Sequence, residues 1–166
     1  MVLKKLNKSF EEILLSEIEF PHVDEEFLTT RDKLLLKGNT DNPMFNLSRR
    51  FAEAEIIVIA APYWDLSFPA SLKQYFEQIN VVGITFKYTD DGLPVGLCKA
   101  RKLIVVTTSG GTNMPQEYGF GYIKALARSF YGISDVKLVA AEGFDIDGAD
   151  TEDILRTVKE DVDNIL

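Results

Sequence analysis

The chain has 166 residues, 46% of them hydrophobic and 27% charged, an ordinary globular composition with room for one domain and one real core. Its formal net charge of −8 repels a phosphate backbone and argues against a nucleic-acid partner. One Cys and one His exclude an internal disulfide and argue against a zinc site and most Ser-His, Cys-His and multi-His metal chemistry.

The opening carries Lys4, Lys5 and Lys8 with no apolar stretch behind them, so it does not read as a signal peptide. Leu3, Leu6 and Phe10 stand at helical spacing, which predicts a helix already under way at the first residue. Residues 13–20 read as a short strand with acidic interruptions, ended by Pro21. A helix is expected over 24–36, stopped at Gly38-Asn39. Asp41 or Asn42 can then cap a helix, with Pro43 in its first turn and Met44, Leu47, Phe51 and Ala54 on one face. Residues 56–61 form an uninterrupted apolar run rich in β-branched side chains, predicting a strand buried on both faces.

The alternation continues to the end. Leu72, Tyr75, Phe76 and Ile79 share a helical face, residues 103–107 read as a second buried strand, and Ile123, Leu126, Ala127 and Phe130 mark another helix. Residues 136–141 are a third strand. Asp150 caps a last helix whose inner face is predicted to be Leu155, Val158, Val162 and Ile165. One insertion breaks the rhythm at 81–98, where residues 86–88 read as a short strand and Asp91-Gly92 as a tight turn. Strands alternating with helices predict an α/β fold with a parallel sheet. The longest apolar run, 56–62, is far too short to span a bilayer. A single domain over 1–166 without membrane association, in a reducing cytoplasm, is the expectation.

Ligands of open parallel sheets bind beyond the carboxyl ends of the strands, so the loops there are the candidate site. After the first strand come Pro62, Tyr63, Trp64, Asp65 and Leu66, then Ser67-Phe68-Pro69. An aromatic loop bracketed by prolines can hold a flat ring or act as a hydrophobic plug. After the next strand come Thr108, Ser109, Gly110 and Gly111. Adjacent glycines let backbone amides approach a ligand and form an anion-binding nest, or simply make a turn. Glu142 follows the last strand as a polar site group or a solvated strand end. His22 reads as a surface residue, Cys98 as a small packing residue, and Asp90-Asp91 and Asp145 with Asp147 as solvated turns. Gly119 and Gly121 do not make a dinucleotide fingerprint. A site of rings and amides, poor in acids, bases and nucleophiles, suits a cofactor that carries the hard chemistry.

These blocks resemble one family. The run from Ala60 through Pro62-Tyr63-Trp64-Asp65-Leu66 to Pro69, the segment Val82-Gly83-Ile84-Thr85-Phe86-Lys87-Tyr88, the block Val105-Val106-Thr107-Thr108-Ser109-Gly110-Gly111, and Ala141-Glu142-Gly143 are similar in order and spacing to the FMN-dependent NAD(P)H:quinone oxidoreductases and NADH-azoreductases. The resemblance covers roughly residues 43–166. It implies a flavodoxin-like, doubly wound parallel sheet of strand order 2-1-3-4-5 and a homodimer with the active site at the subunit interface. It also implies FMN as cofactor and NAD(P)H as reductant, with quinone, azo or nitro compounds reduced in ping-pong fashion. By the resemblance, Pro62, Tyr63, Trp64, Asp65 and Leu66 would run beside the flavin ring, Thr108, Ser109, Gly110 and Gly111 would border its other edge, and Phe86 and Tyr88 would lie near a neighbouring substrate site. No side chain is expected to be catalytic, since the flavin N5 carries the hydride, and no metal is expected.

The front of the chain departs from that pattern. No apolar strand precedes Leu3 and no Ser-rich loop is present there, whereas the family's loop and first helix hold the FMN phosphate. This predicts a sheet without its first, central strand, its neighbours pairing directly or another chain filling the gap. It also predicts weakened or absent FMN binding, because the phosphate carries about −1.5 to −2 charges and needs donors. The alternative to an oxidoreductase is therefore a flavodoxin-like remnant serving as a non-catalytic interaction or ligand-binding module.

Overall fold

In the computed structural model, which describes residues 1–166, the strands are β1 (Ile56–Ala60), β2 (Phe86–Tyr88), β3 (Pro94–Gly96), β4 (Lys102–Ser109) and β5 (Asp135–Glu142). The helices are α1 (Val2–Leu6), α2 (Glu25–Leu36), α3 (Asn46–Glu53), α4 (Ala70–Ile79), α5 (Phe120–Leu126) and α6 (Thr151–Ile165). The three longer strands pair in parallel in the order β1-β4-β5, while β2 and β3 form a separate antiparallel hairpin.

Position in the sheet decides burial. The central β4 buries Leu103, Ile104 and Val105 in succession, the mark of a strand covered on both faces. Burial on both faces, expected of 56–61, holds for β4 and not for β1. On β1 only Ile57 and Ile59 are buried, while Ile56 and Val58 are half-buried. The reason is its place at the sheet edge, where one side of the strand has no neighbour to complete the cover.

The two faces are unequal. On one, helices α3, α4 and α5 build a cluster of 16 buried residues in which Phe51, Phe76, Ile79 and Ile123 pack on Ile57, Leu103 and Val105. Phe51 meets Tyr131 edge-on at 4.7 Å, a favoured aromatic geometry. On the other, α1 and α6 supply Val2, Val158 and Val162 against Ile104, Val139 and Ala141, a cluster of 6.

Local chemistry sets most boundaries. The Asp24 carboxylate accepts the Phe27 amide at the start of α2, and Asp150 accepts those of Glu152 and Asp153 at the start of α6. At 42 it is Asn42, not Asp41, that accepts the Met44 amide. In the 81–98 insertion Thr85 is buried, and its hydroxyl donates to the Ile79 carbonyl at 2.8 Å while accepting the Val81 amide at 3.1 Å. This ties the hairpin to the end of α4. Gly92, at φ 77°, makes the expected turn.

Four expectations are corrected. Residues 13–20 form no strand: they make one 3-10 turn, Leu15–Glu17, and no backbone hydrogen bond to the sheet. Ile13, Leu15 and Phe20 pack against the larger cluster, and Glu12, Glu17 and Glu19 interrupt any continuous apolar edge. The first helix stops at Leu6, with Asn7 left-handed, so Val2 is its buried residue while Leu3 and Phe10 are exposed. On α6 the inner residue of the first turn is Ile154, and Leu155 is exposed. The sheet has three parallel strands rather than the four expected once the first, central strand is lacking, because 13–20 does not join it.

One element is unforeseen. After α5 the chain widens into a π turn, Ala127–Tyr131, which buries Tyr131 and lets its hydroxyl donate to Asn80 Oδ1 at 2.7 Å. Gly132 ends it at φ 75°. No helix is long and apolar enough to cross a membrane.

Candidate functional site at the strand ends

Because β1 and β4 are neighbours, the loops that follow them leave the sheet side by side. The ladder runs on past β1: the Ala61 amide donates to the Val106 carbonyl at 3.1 Å and the Tyr63 amide to the Thr108 carbonyl at 2.8 Å. Pro62, Tyr63, Trp64, Asp65 and Leu66 are thus brought beside Thr108, Ser109, Gly110 and Gly111.

The first loop is a tight hairpin. Trp64 and Ser67 exchange backbone bonds at 3.2 and 2.7 Å, with Asp65 at φ 49° and Leu66 at φ 67° between them. Two left-handed central residues match a type I′ turn, where Asn-Gly is the usual pair. Here Asp65 suits the first position, and Leu66 takes the second at a cost of about 1–2 kcal/mol. The strained turn lifts Trp64 and Leu66 outward, 59% and 51% exposed. Such strain concentrates at ligand-contacting positions. Tyr63 is fixed instead: its hydroxyl donates to the Pro115 carbonyl at 2.9 Å, and burial, with Glu117 and Glu142 nearby, pushes the phenol above its usual range. A second strut joins the Ser67 hydroxyl to the Tyr118 carbonyl at 2.8 Å. Of the two rings in this loop, Trp64 is the one free to stack.

The second loop is held by its carbonyls. The Gly143 amide donates to the carbonyls of both Ser109 and Gly111 at 3.0 Å, the Phe144 amide to Ser109 at 3.2 Å, and the Asp145 amide to Gly110 at 3.0 Å. The Ser109 hydroxyl donates to the Gly111 carbonyl at 2.9 Å. The amides of Gly110, Gly111 and Thr112 donate to no acceptor in the chain. Three successive unengaged amides at a turn are what a carbonyl-bearing or anionic ligand edge requires. A Cβ at 110 would overlap the Asp145 carboxylate, so the loop and that side chain approach closely there. The cavity beneath the two loops is about 20 Å³, lined by Tyr63, Phe68, Thr107 and Phe120, room for about one water. The space between the loops is therefore too small for a planar ring.

The other candidates fall elsewhere. Phe86 is buried against Phe130, with ring centroids 4.6 Å apart, and Tyr88 is 53% exposed on the hairpin. That hairpin packs on the π turn, so within one chain neither residue joins the two loops. Glu142, half-buried at the end of β5, accepts the Asn113 amide at 2.9 Å. Burial pushes the Cys98 thiol up to about 12, and it donates to the Thr85 carbonyl, as befits a packing residue. His22, Asp90, Asp91, Asp145 and Asp147 are exposed. The sequence reading missed Asn113, Pro115 and Tyr118. Asn113 alone carried a local signal, since Asn tolerates the left-handed region in which it sits at φ 56°.

Comparison with known proteins agrees with this architecture. Residues 2–166 match a family described as having a flavodoxin-like fold. An FMN-dependent NADH:quinone oxidoreductase of Coprothermobacter proteolyticus is 42% identical over 130 residues, 75% of this chain and 62% of that protein. A namesake from Clostridium perfringens is 36% identical over 156 residues, 90% of this chain and 77% of the other. The chain thus spans somewhat under two thirds of the first relative's length and about three quarters of the second's. Among solved structures, an FMN-dependent NADH-azoreductase of Bacillus anthracis in complex with FMN superposes with a TM-score of 0.78 at 29% identity, covering 98% of this chain and 83% of that one.

Proposed function

The chain belongs to the flavodoxin-like fold family, and we propose that it is an FMN-dependent NAD(P)H oxidoreductase that reduces quinone, azo or nitro compounds in a ping-pong sequence. The observation that carries this reading is the pairing, on adjacent strand ends, of three unengaged amides with an exposed tryptophan on a strained hairpin. The names of the relatives, quinone oxidoreductases and an azoreductase bound to FMN, support it.

The residues fit the isoalloxazine end of FMN. The amides of Gly110, Gly111 and Thr112 would donate to its carbonyl-bearing edge. Trp64 would stack on the ring and Leu66 would shield it from water. Pro62 and Asp65 shape that hairpin, and the Tyr63 and Ser67 hydroxyls brace it against the 115–118 segment. The Thr108 carbonyl holds the two loops in register by accepting the Tyr63 amide, and the Ser109 carbonyl ties the second loop to Gly143 and Phe144. Bound FMN supplies the hydride acceptor and donor, so the protein's share is orientation and charge stabilisation.

We place the protein in the cytoplasm as a homodimer, in which the exposed Tyr88, with Phe86 buried beneath it, would approach the partner's ring site and the acceptor. Sedimentation of the pure chain tests the dimer. The test of the activity is to titrate the purified chain with FMN at roughly 10–100 µM and then to follow NADH oxidation with menadione. Saturable binding and turnover are expected. A colourless protein inert to NADH and menadione would instead favour a ligand-binding or interaction module. Trp64→Ala should weaken flavin binding by about 1–3 kcal/mol, the range for stacking on an aromatic, with little change in Tm because the ring is exposed. Unchanged affinity would remove Trp64 from the site.

A further inference from the structure

The 110–113 turn contains no proline and lies beyond the ladder that ends at Ser109. The bonds that residues 109–111 receive from Gly143, Phe144 and Asp145 engage carbonyls only. One bond runs the opposite way: the Asn113 amide donates to Glu142 Oε2 at 2.9 Å. Asn113 is left-handed at φ 56°, a region that Asn visits more readily than other non-glycine residues but not without steric cost as glycine does, so a bond from outside the turn helps to hold it there. Glu142 is the last residue of β5 and pairs in register with Ser109, the residue at which the loop departs. One strand end therefore fixes the loop at both ends, through backbone pairing where it leaves and through a carboxylate where it returns. Of the four amides from 110 to 113, Glu142 takes the last, and the three before it have no acceptor.

We propose that Glu142 is a positioning residue: its carboxylate pins the Asn113 amide, so that the chain reverses at a left-handed residue and the amides of Gly110, Gly111 and Thr112 are pre-set for the carbonyl-bearing edge of the bound flavin. This rests on the FMN reading above. Glu142 acts through the loop and not on the substrate. A charge-assisted bond is stronger than one to a neutral acceptor, which suits a carboxylate to holding a strained residue. Without it the loop samples other conformations, and the apparent affinity falls by the fraction of time the amides are correctly set.

The experiment uses the intact chain with two readouts. In flavin-free protein, hydrogen exchange at the Asn113 amide should be slow in the wild type and fast in Glu142→Ala. FMN titration should show the Kd raised about tenfold in Glu142→Ala, the value for a loop competent about 10% of the time. Glu142→Gln keeps an acceptor oxygen and should stay within about threefold of wild type. Adding Asn113→Gly to Glu142→Ala should recover most of the lost affinity, since glycine adopts positive φ without steric cost. A general loss of stability would not be repaired at that one position, and a matching Tm series separates the two cases. A wild type that binds FMN, with Glu142→Ala within twofold of it or with no recovery on Asn113→Gly, overturns this inference alone. A wild type that protects the Asn113 amide but takes up no FMN overturns the flavin reading and this role with it.

Discussion

Gly96 and Gly110 both stand where a side chain would collide, and the collisions differ in kind. At Gly96 a Cβ would overlap the Tyr131 and Gly132 backbone, so the β2–β3 hairpin is sealed onto the π turn main chain to main chain. At Gly110 the neighbour is the carboxylate end of an exposed Asp145, and the amides from 110 to 112 donate to nothing in the chain. The hairpin end spends close approach on packing, and the strand-end rim spends it on presenting donors. Close backbone approach alone therefore does not mark a binding site: what separates the two regions is whether polar groups are left over.

Gly96→Ala tests the sealed half and should have the largest effect. Neither overlapping backbone segment can swing aside, so we expect a loss of at least about 3 kcal/mol. That corresponds to a fall in Tm on the order of 10 °C for a chain of this length. Flavin affinity of the folded fraction should be unchanged. A thermal melt and an FMN titration on the same sample separate the two effects, and a stable Gly96→Ala variant would mean that the hairpin is not sealed.

Gly110→Ala is the counterpart at the rim. Asp145 can turn away at its exposed end, so the stability cost should be about 1–2 kcal/mol, while FMN binding should drop more steeply because the first amide of the set is displaced. Equal losses of stability and affinity, as in a purely structural glycine, would erase the distinction between the two regions.

The same contrast explains what the sequence disclosed. The three sheet strands were legible as short apolar runs rich in β-branched residues, and the two rim loops as the segments that leave the carboxyl ends of parallel strands. The burial of β1 was overread, since apolar content does not reveal which strand lies at an edge. Residues 13–20 carry strand-like residue types, but acidic residues interrupt them and they make no backbone hydrogen bond to the sheet. Ile154 and Leu155 are adjacent apolar residues, and only packing against β5 decides which one turns inward. The Glu142 to Asn113 bond joins residues 29 positions apart. Neither partner signals the other locally, so that part of the rim became visible only with the fold.

Leu66→Gly probes the rim's strain in the opposite direction. Glycine relieves the left-handed backbone at φ 67°, and after allowance for its greater freedom in the unfolded chain we expect a gain of about 0.5–1 kcal/mol. Flavin affinity should fall, because the apolar cover over the ring is lost and the hairpin is less firmly set. Greater stability with weaker binding would show that the strain serves the site. A variant that gains neither stability nor loses affinity would mean that the turn merely connects β1 to α4.

The smallest effect concerns the sealed half at high pH. Burial pushes the Cys98 thiol from its ordinary 9.0 up to about 12, the Tyr75 phenol from 10.0 up to about 12, and Tyr131 higher still. In each case the native state holds a proton that the unfolded chain releases sooner. The stability from this source is thus complete below the unfolded value and is lost as pH rises toward the folded one. Tm should be flat near neutrality and begin to fall above pH 9.0, where the unfolded thiol ionises. Cys98→Ala should move that onset toward 10.0, the ordinary value of the tyrosines that remain. Because Cys98 contacts Thr85 at the base of the hairpin, the shift reads that end of the molecule independently of Tyr63 at the rim. An onset that stays at pH 9.0 in Cys98→Ala would mean that water reaches the hairpin base, and the molecule would then lack the closed region against which its open rim is defined.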